Sequence, residues 1–302
     1  MKLLQQRFAQ LRRKWHELQF RRAAAGVRSI GPIRLAAEGP IVLSMVQQRD
    51  VDAYLLALGT FVRRLPARRI VVVADPSLDA ADQAVLRRQV PDIEIVAQHD
   101  FRPEGLPSGG CWERLVAITR YVSEGYVIQL DADTVATGPL DEVAACVRDN
   151  RAFTLGTDDH FVLQPASEAA DFARSRASPD AHIQVHAEAA LDRLPAEVFP
   201  AYIRGCAGFA GFPAGYEMLP KLLQLSAVME QAIGARWRQW GSEQFASNVM
   251  VANAPASCVL PHPKYCAPHR RRADSVFLHF IGYVRYIDGT YARLARGYLK
   301  TA

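Results

Sequence analysis

The sequence predicts an α/β fold, a single mixed-sheet domain behind an N-terminal amphipathic helix. Short apolar runs alternate with amphipathic stretches over residues 41–130, the rhythm of βαβ units and a largely parallel sheet. Hydrophobic residues make up 50% of the 302-residue chain, which lets it bury roughly three quarters of its unfolded surface without a disulfide or structural metal. Residues 1–28 stand apart as a basic segment, closed off by Gly31-Pro32 and Gly39-Pro40. A charged content of 22% excludes a wholly disordered chain. No run approaches the ~18 apolar residues of a spanning helix. Five scattered cysteines and no apolar leader fit a reduced, cytoplasmic protein.

The elements follow in order. Ile41-Val42-Leu43, Ile70-Val71-Val72-Val73, Ile93-Glu94-Ile95-Val96 and the run from Tyr126 to Leu130 read as buried strands. Helices fall between them at 50–64, 79–90 and 111–124. Beyond residue 150 the rhythm loosens into helices at 182–194, 215–233 and 242–253, with strand-like stretches at 152–156, 208–212 and 275–280. This gives a basic amphipathic helix over 1–30 and one α/β domain over 38–302.

The net charge of +5 is unevenly spread. Residues 1–28 carry eight basic groups against Glu17, and the chain from Lys264 onward carries another eight against Asp274 and Asp288. The stretch between them holds 20 basic and 28 acidic residues, so no chain-long nucleic-acid groove is expected. Within the first segment Leu4, Phe8, Leu11, Trp15 and Leu18 fall on one helical face, with arginine and lysine around it. Such a helix fits an anionic membrane surface, peripheral to the inner face; it equally fits packing on the domain or pairing with a second subunit.

One strand end stands out chemically. The run from Tyr126 to Leu130 passes straight into Asp131-Ala132-Asp133-Thr134, and side chains two apart on a strand share a face. Two carboxylates on one face repel unless a cation lies between them, and a hard divalent ion with open positions for phosphate oxygens fits. Turn aspartates at a strand end are the structural alternative. A phosphatase of the haloacid-dehalogenase type would continue Asp-x-Asp-x-Thr, but here Thr134 comes one place early and Val135 takes the fifth position. A metal gripping the diphosphate of a nucleotide-sugar is the better match.

Further residues at set distances extend this reading. Trp112-Glu113-Arg114-Leu115 precedes the paired aspartates, with Arg114 17 positions before Asp131. Gly241-Ser242-Glu243-Gln244 and Asn248 form a second segment, and Phe277-Leu278-His279-Phe280-Ile281-Gly282 with Arg285 forms a third. In these features the chain resembles the GT-A glycosyltransferases, most of all glycosyltransferase family 8. The resemblance implies a GT-A fold and transfer of a sugar from a nucleotide-diphosphate donor, a UDP-sugar, to a glycan or lipid-linked acceptor with retention of configuration. It implies Mn²⁺ or Mg²⁺ held by Asp131, Asp133 and His279, and donor contacts from Arg114, Asp131, Asp133, Gly282 and Arg285. Arg285 stands where the family has lysine, while Glu243 and Gln244 match the residues beside the reacting sugar. The chain departs from the family after its first strand, where Ser44-Met45-Val46-Gln47-Gln48-Arg49 replaces an aspartate-rich segment that reads the base. Cys206-Ala207-Gly208 stands where the family has Asn-Ala-Gly or Asn-Ser-Gly. A nucleotidylyltransferase and a non-catalytic GT-A-like scaffold are the alternatives; the former normally carries a glycine- and lysine-rich loop, and Ser44 to Asp50 has neither residue.

Other groupings carry less. Cys258, His262, Cys266 and His269 do not have a zinc-finger spacing, and Pro261, Pro263 and Pro268 stiffen the loop. His182 and His186 lack the glutamate of a zincin, since Ile183 stands there. Gly205, Gly208 and Gly211 read as positions of close approach by a ligand or neighbouring helix. Asp158 and Asp159 are candidate acceptor-site residues, with surface turn acids as the simpler account.

Overall fold

The computed structural model describes residues 2–156, 162–282 and 284–301. Asp158 and Asp159 lie outside the described residues. The helices are α1 (Lys2–Ala24), α2 (Val51–Val62), α3 (Ala80–Gln89), α4 (Trp112–Tyr121), α5 (Asp141–Arg148), α6 (Ala166–Ser175), α7 (Ile183–Glu188), α8 (Met218–Ile233), α9 (Ser242–Ala252) and α10 (Thr290–Thr301). The strands are β1 (Ile41–Val46), β2 (Arg69–Ala74), β3 (Glu94–Ala97), β4 (Val127–Leu130), β5 (Thr134–Ala136), β6 (Phe153–Gly156), β7 (Gln164–Pro165), β8 (Ala201–Tyr202), β9 (Gly205–Phe212), β10 (Cys258–Leu260), β11 (Tyr265–Cys266) and β12 (Phe277–His279).

Among the described residues the main sheet has seven strands in the order β10-β6-β9-β4-β1-β2-β3. The pairs β1–β2, β2–β3 and β1–β4 are parallel, as the βαβ rhythm predicts, and β6–β10 is parallel as well. β9 runs antiparallel to both of its neighbours, β4 and β6, which makes the sheet mixed at its centre. Both faces are covered. Val42, Ile70, Val72, Ile128 and Leu130 point into one core and Ile41, Leu43, Val71, Val73 and Val127 into the other. Strands buried on both faces read as continuous apolar runs, which is why periodicity located them. The predicted helix at 182–194 is shorter, ending at Glu188 and followed by a single 3₁₀ turn, Leu191–Arg193.

The sheet's direction reverses once in the first half. The chain builds outward from β1 to β2 and β3, then crosses back to lay β4 on the other side of β1. The crevice between β1 and β4, at their carboxyl ends, is the place where open α/β sheets bind ligands. A second sheet has the order β11-β12-β5, with β5 following the paired aspartates directly.

α1 does not pack through the stripe that periodicity picked out. Its buried residues are Phe20, Ala23 and Ala24, and Phe20 stacks on Tyr291 of α10 with centroids 3.7 Å apart. Phe8, Leu11, Trp15 and Leu18 face outward. One large aromatic set among small residues near the helix end outweighs the longer stripe, because the alanines let α10 approach closely.

The aromatic core beneath the second sheet ties it to the first. Phe209 of β9 is fully buried and stacks on Phe277 of β12, with centroids 4.0 Å apart, while Phe153 lies 5.1 Å away. Phe209→Ala should cost about 3–5 kcal/mol, the usual range for deleting a buried aromatic ring, as measured by urea unfolding with an unchanged m-value.

Candidate active site

The site is assembled by strand register. β12 pairs antiparallel with β5 so that His279 lies opposite Thr134, and the Phe280 N–H donates to the Asp133 carbonyl over 2.8 Å. This carries His279 from the far end of the chain to the paired aspartates. One ligand atom from each of Asp131, Asp133 and His279 falls within 4.8 Å of the others. His279 Nε2 is 3.1 Å from Asp133 Oδ1 and 3.8 Å from Asp131 Oδ2. Cys206 Sγ lies 3.3 Å from the other ring nitrogen, Nδ1.

Two helix starts deliver the next residues. Gly241, at φ 100°, leads into α9, and the left-handed Cys111, at φ 77°, leads into α4. The Trp112 indole N–H donates to Ser242 Oγ over 2.9 Å, locking the two starts together. Arg114 on α4 is thereby placed between Asp131, with which it forms an ion pair, and Glu243, whose Oε1 accepts from Arg114 Nη2 over 2.6 Å. On the opposite side Arg285 Nη2 reaches Asp133 at 2.5 Å and Nη1 reaches Asp50 at 3.2 Å. The result is one connected series, Glu243–Arg114–Asp131, then His279, then Asp133–Arg285–Asp50.

Burial acts on Glu243, Asp133 and His279. It pushes the Glu243 carboxyl up to about 7 against the pull of Arg114. Asp133 goes the other way: burial opposes its charge, yet His279 and Arg285 hold its pKa down at about 2. Burial also works against a charged His279, but Cys206 and Asp133 outweigh it and keep the imidazole protonated well above its ordinary range. Holding a cation requires His279 to give up that proton.

The donor set suits a divalent ion. Four carboxylates (Asp50, Asp131, Asp133, Glu243) face two guanidiniums, Arg114 and Arg285. Carboxylate oxygens with one imidazole form a hard, borderline ligand set.

The sequence-predicted residues therefore converge, with two qualifications. Gln244 lies beside Glu243, but its side chain turns away to donate to Gln184 Oε1 over 2.9 Å. Gly282 is exposed, and its carbonyl accepts from Arg13 Nη2 of α1 over 2.9 Å. Motif reading missed Asp50 and Cys206 as members of the site. Asp50 is the first acid after β1, which was its one available signal. The Cys258–His269 grouping does not gather: Cys258 lies 3.4 Å from Cys146 instead, and the cluster at Asp131 is the one potential metal-binding group among the described residues.

Comparisons agree with the architecture. No protein-family model matches the chain, and no curated protein sequence matches it. Among solved structures, the chain is similar to galactosyltransferase LgtC in complex with donor and acceptor sugar analogues, at 11% identity and a TM-score of 0.52, covering 85% of this chain and 95% of that one. An active-site mutant of LgtC gives a TM-score of 0.52 at 10% identity over 86% and 95%. Mouse xyloside xylosyltransferase 1 gives 0.46 at 12% identity over 84% and 99%. The fold is that of the GT-A glycosyltransferases.

Of the three glycines read as positions of close approach, Gly208 matters most here. A Cβ on it would lie 2.0 Å from His279 Cε1, so the imidazole occupies the space where a side chain would stand. Gly208→Ala should displace the ring and weaken divalent-cation binding at least tenfold. The check is titration of Mn²⁺ by electron paramagnetic resonance, and circular dichroism should show the fold retained.

Proposed function

We propose that the protein is a metal-dependent glycosyltransferase that moves a sugar from a nucleotide-diphosphate donor, a UDP-sugar, to a glycan or lipid-linked acceptor with retention of configuration. The observation that carries this reading is the convergence of Asp131, Asp133 and His279 at the end of β4, flanked by two arginines, in a GT-A fold. One LgtC structure similar to this chain holds donor and acceptor sugar analogues, which supports the same substrate classes.

Asp131, Asp133 and His279 would hold Mn²⁺ or Mg²⁺. Such an ion stabilises the charge that gathers on a departing diphosphate. Arg285 presents a planar fork that suits phosphate oxygens, and on donor binding it can exchange an aspartate partner for them. Arg114 stays between Asp131 and Glu243 and fixes both carboxylates. Glu243 and Gln244, at the start of α9, take the place beside the reacting sugar that the family resemblance implies.

The acceptor's setting follows from α1. Its outer face exposes Phe8 (69%), Leu11 (64%), Trp15 (53%) and Leu18 (40%), a row of large apolar residues that no other element covers among the described residues. Arg7 and Arg12 lie on the same exposed helix surface. Apolar side chains bordered by cations match the interface of an anionic bilayer. No helix among the described residues is long and apolar enough to cross a membrane. We therefore place α1 on a membrane surface, which favours a lipid-linked acceptor.

Two experiments test these readings. Incubation with a panel of nucleotide-sugars should release nucleotide only when Mn²⁺ is present, and Asp131→Ala/Asp133→Ala should lower the rate at least a hundredfold. No release and no nucleotide-induced thermal shift would favour the scaffold reading; pyrophosphate release from a nucleoside triphosphate would favour a nucleotidylyltransferase. Separately, the full chain should sediment with phosphatidylglycerol vesicles. Leu11→Glu/Trp15→Glu should remain in the supernatant with an unchanged melting temperature, because both side chains are exposed.

A further inference from the structure

A cavity of about 860 Å³ lies beside the carboxylate series. One wall is the turn after β1, with Gln48, Arg49 and Asp50, and a second is formed by Gly282, Arg285 and Tyr286. The third is α1, through Gln10, Arg13, Lys14, Glu17 and Arg21. This volume falls in the range of small-molecule sites, about 300–1,000 Å³. The cavity lies off the carboxyl end of β1, at the reversal point of the sheet, and Asp50 and Arg285 join it to Asp133.

Its charges are unequally paired. Arg21 is held by Glu17 at 2.7 Å, Arg28 by Asp52 at 2.5 Å, and Arg49 and Arg285 share Asp50. Arg13 and Lys14 have no carboxylate partner among the described residues. Arg13 is committed to the Gly282 carbonyl, a bond that pins α1 to the turn before Arg285. Lys14 lines the same cavity with its ammonium uncommitted. A cavity with surplus positive charge at the edge of a metal-binding group calls for a polyanion.

We infer that α1 is a wall of the donor site: the nucleoside-diphosphate end of the donor lies between α1 and the turn after β1. Lys14 meets phosphate from the helix side, and Arg13 is a positioning residue that holds the Gly282 turn in place. This rests on the reading of the chain as a nucleotide-sugar enzyme and extends it to a helix that lies outside the motif-bearing segments.

The test is calorimetric titration of the full chain with UDP, GDP and ADP in the presence of Mn²⁺. Lys14→Glu should weaken the preferred nucleoside diphosphate tenfold or more, and Lys14→Arg should retain its binding. Arg22→Glu, the same charge change on the outer face of the same helix, should leave affinity unchanged. Equal affinity in wild type and Lys14→Glu would overturn the inference while leaving the transferase reading intact. Equal losses in Lys14→Glu and Arg22→Glu would also overturn it, as an effect of bulk charge. Absence of nucleotide binding by the wild-type chain would remove both.

Discussion

The site depends on one backbone pairing, the antiparallel contact of β12 with β5. Asp131 and Asp133 are placed by the end of β4, but they become part of a three-residue group only because β12 lies with His279 opposite Thr134. Side chains alternate along a strand, so a one-residue slip would turn the imidazole to the far side of the small sheet. The register is held from both directions. The Phe280 N–H is fixed on the Asp133 carbonyl, and Phe277 is fixed by its stack on Phe209. Gly208 contributes by absence, since the ring of His279 lies where a Cβ would be. Its carbonyl also accepts from the Asp131 N–H over 2.9 Å, so a single residue spaces the imidazole and anchors the first aspartate.

Around that register the protein must keep several charges together in poor solvent. Breaking a buried pair leaves an uncompensated charge and costs more than the pair itself contributes. Here acid and base alternate from Glu243 to Asp50, so almost every carboxylate touches a cation. Arg114 is the most constrained member. It is almost wholly buried, it serves two acids, and its Nε has no partner among the described residues. The two helix starts are locked through Trp112 and Ser242, so Arg114 and Glu243 are positioned by rigid elements rather than by loops.

Much of this was legible in the sequence. The parallel strands, the helices between them, the paired aspartates, Arg114, Glu243 and His279 each have a local signal: an apolar run, a strand end, or a fixed distance within a motif. Three features were legible only in part. The central place of β9 depends on pairing between distant segments, and its Gly- and Ala-rich run, Gly205–Phe212, gives little periodic signal. Asp50 joins the site through Arg285, 235 positions away. The orientation of α1 was legible only in part, because hydrophobic periodicity identifies an apolar face without saying what covers it. Phe20 and two alanines took the domain side, and the longer stripe was left facing out.

That orientation gives α1 two distinct surfaces, and the way it is held explains how both persist. Phe20 docks its carboxyl-terminal end on Tyr291, and Arg13, nearly two turns earlier, ties its middle to Gly282. Both attachments use residues on the inner side, so the apolar row remains uncovered while Lys14 and Glu17 line the cavity. A helix restrained in this way cannot rotate to bury its outer stripe without breaking the contacts that support the turn before Arg285. The basic character of the first 28 residues, which looks at first like a separate tail, is thus divided by geometry. Part of it borders an exposed apolar surface, and part faces the crevice that ends at Asp133. The fold connects the two through Gly282 and Arg285.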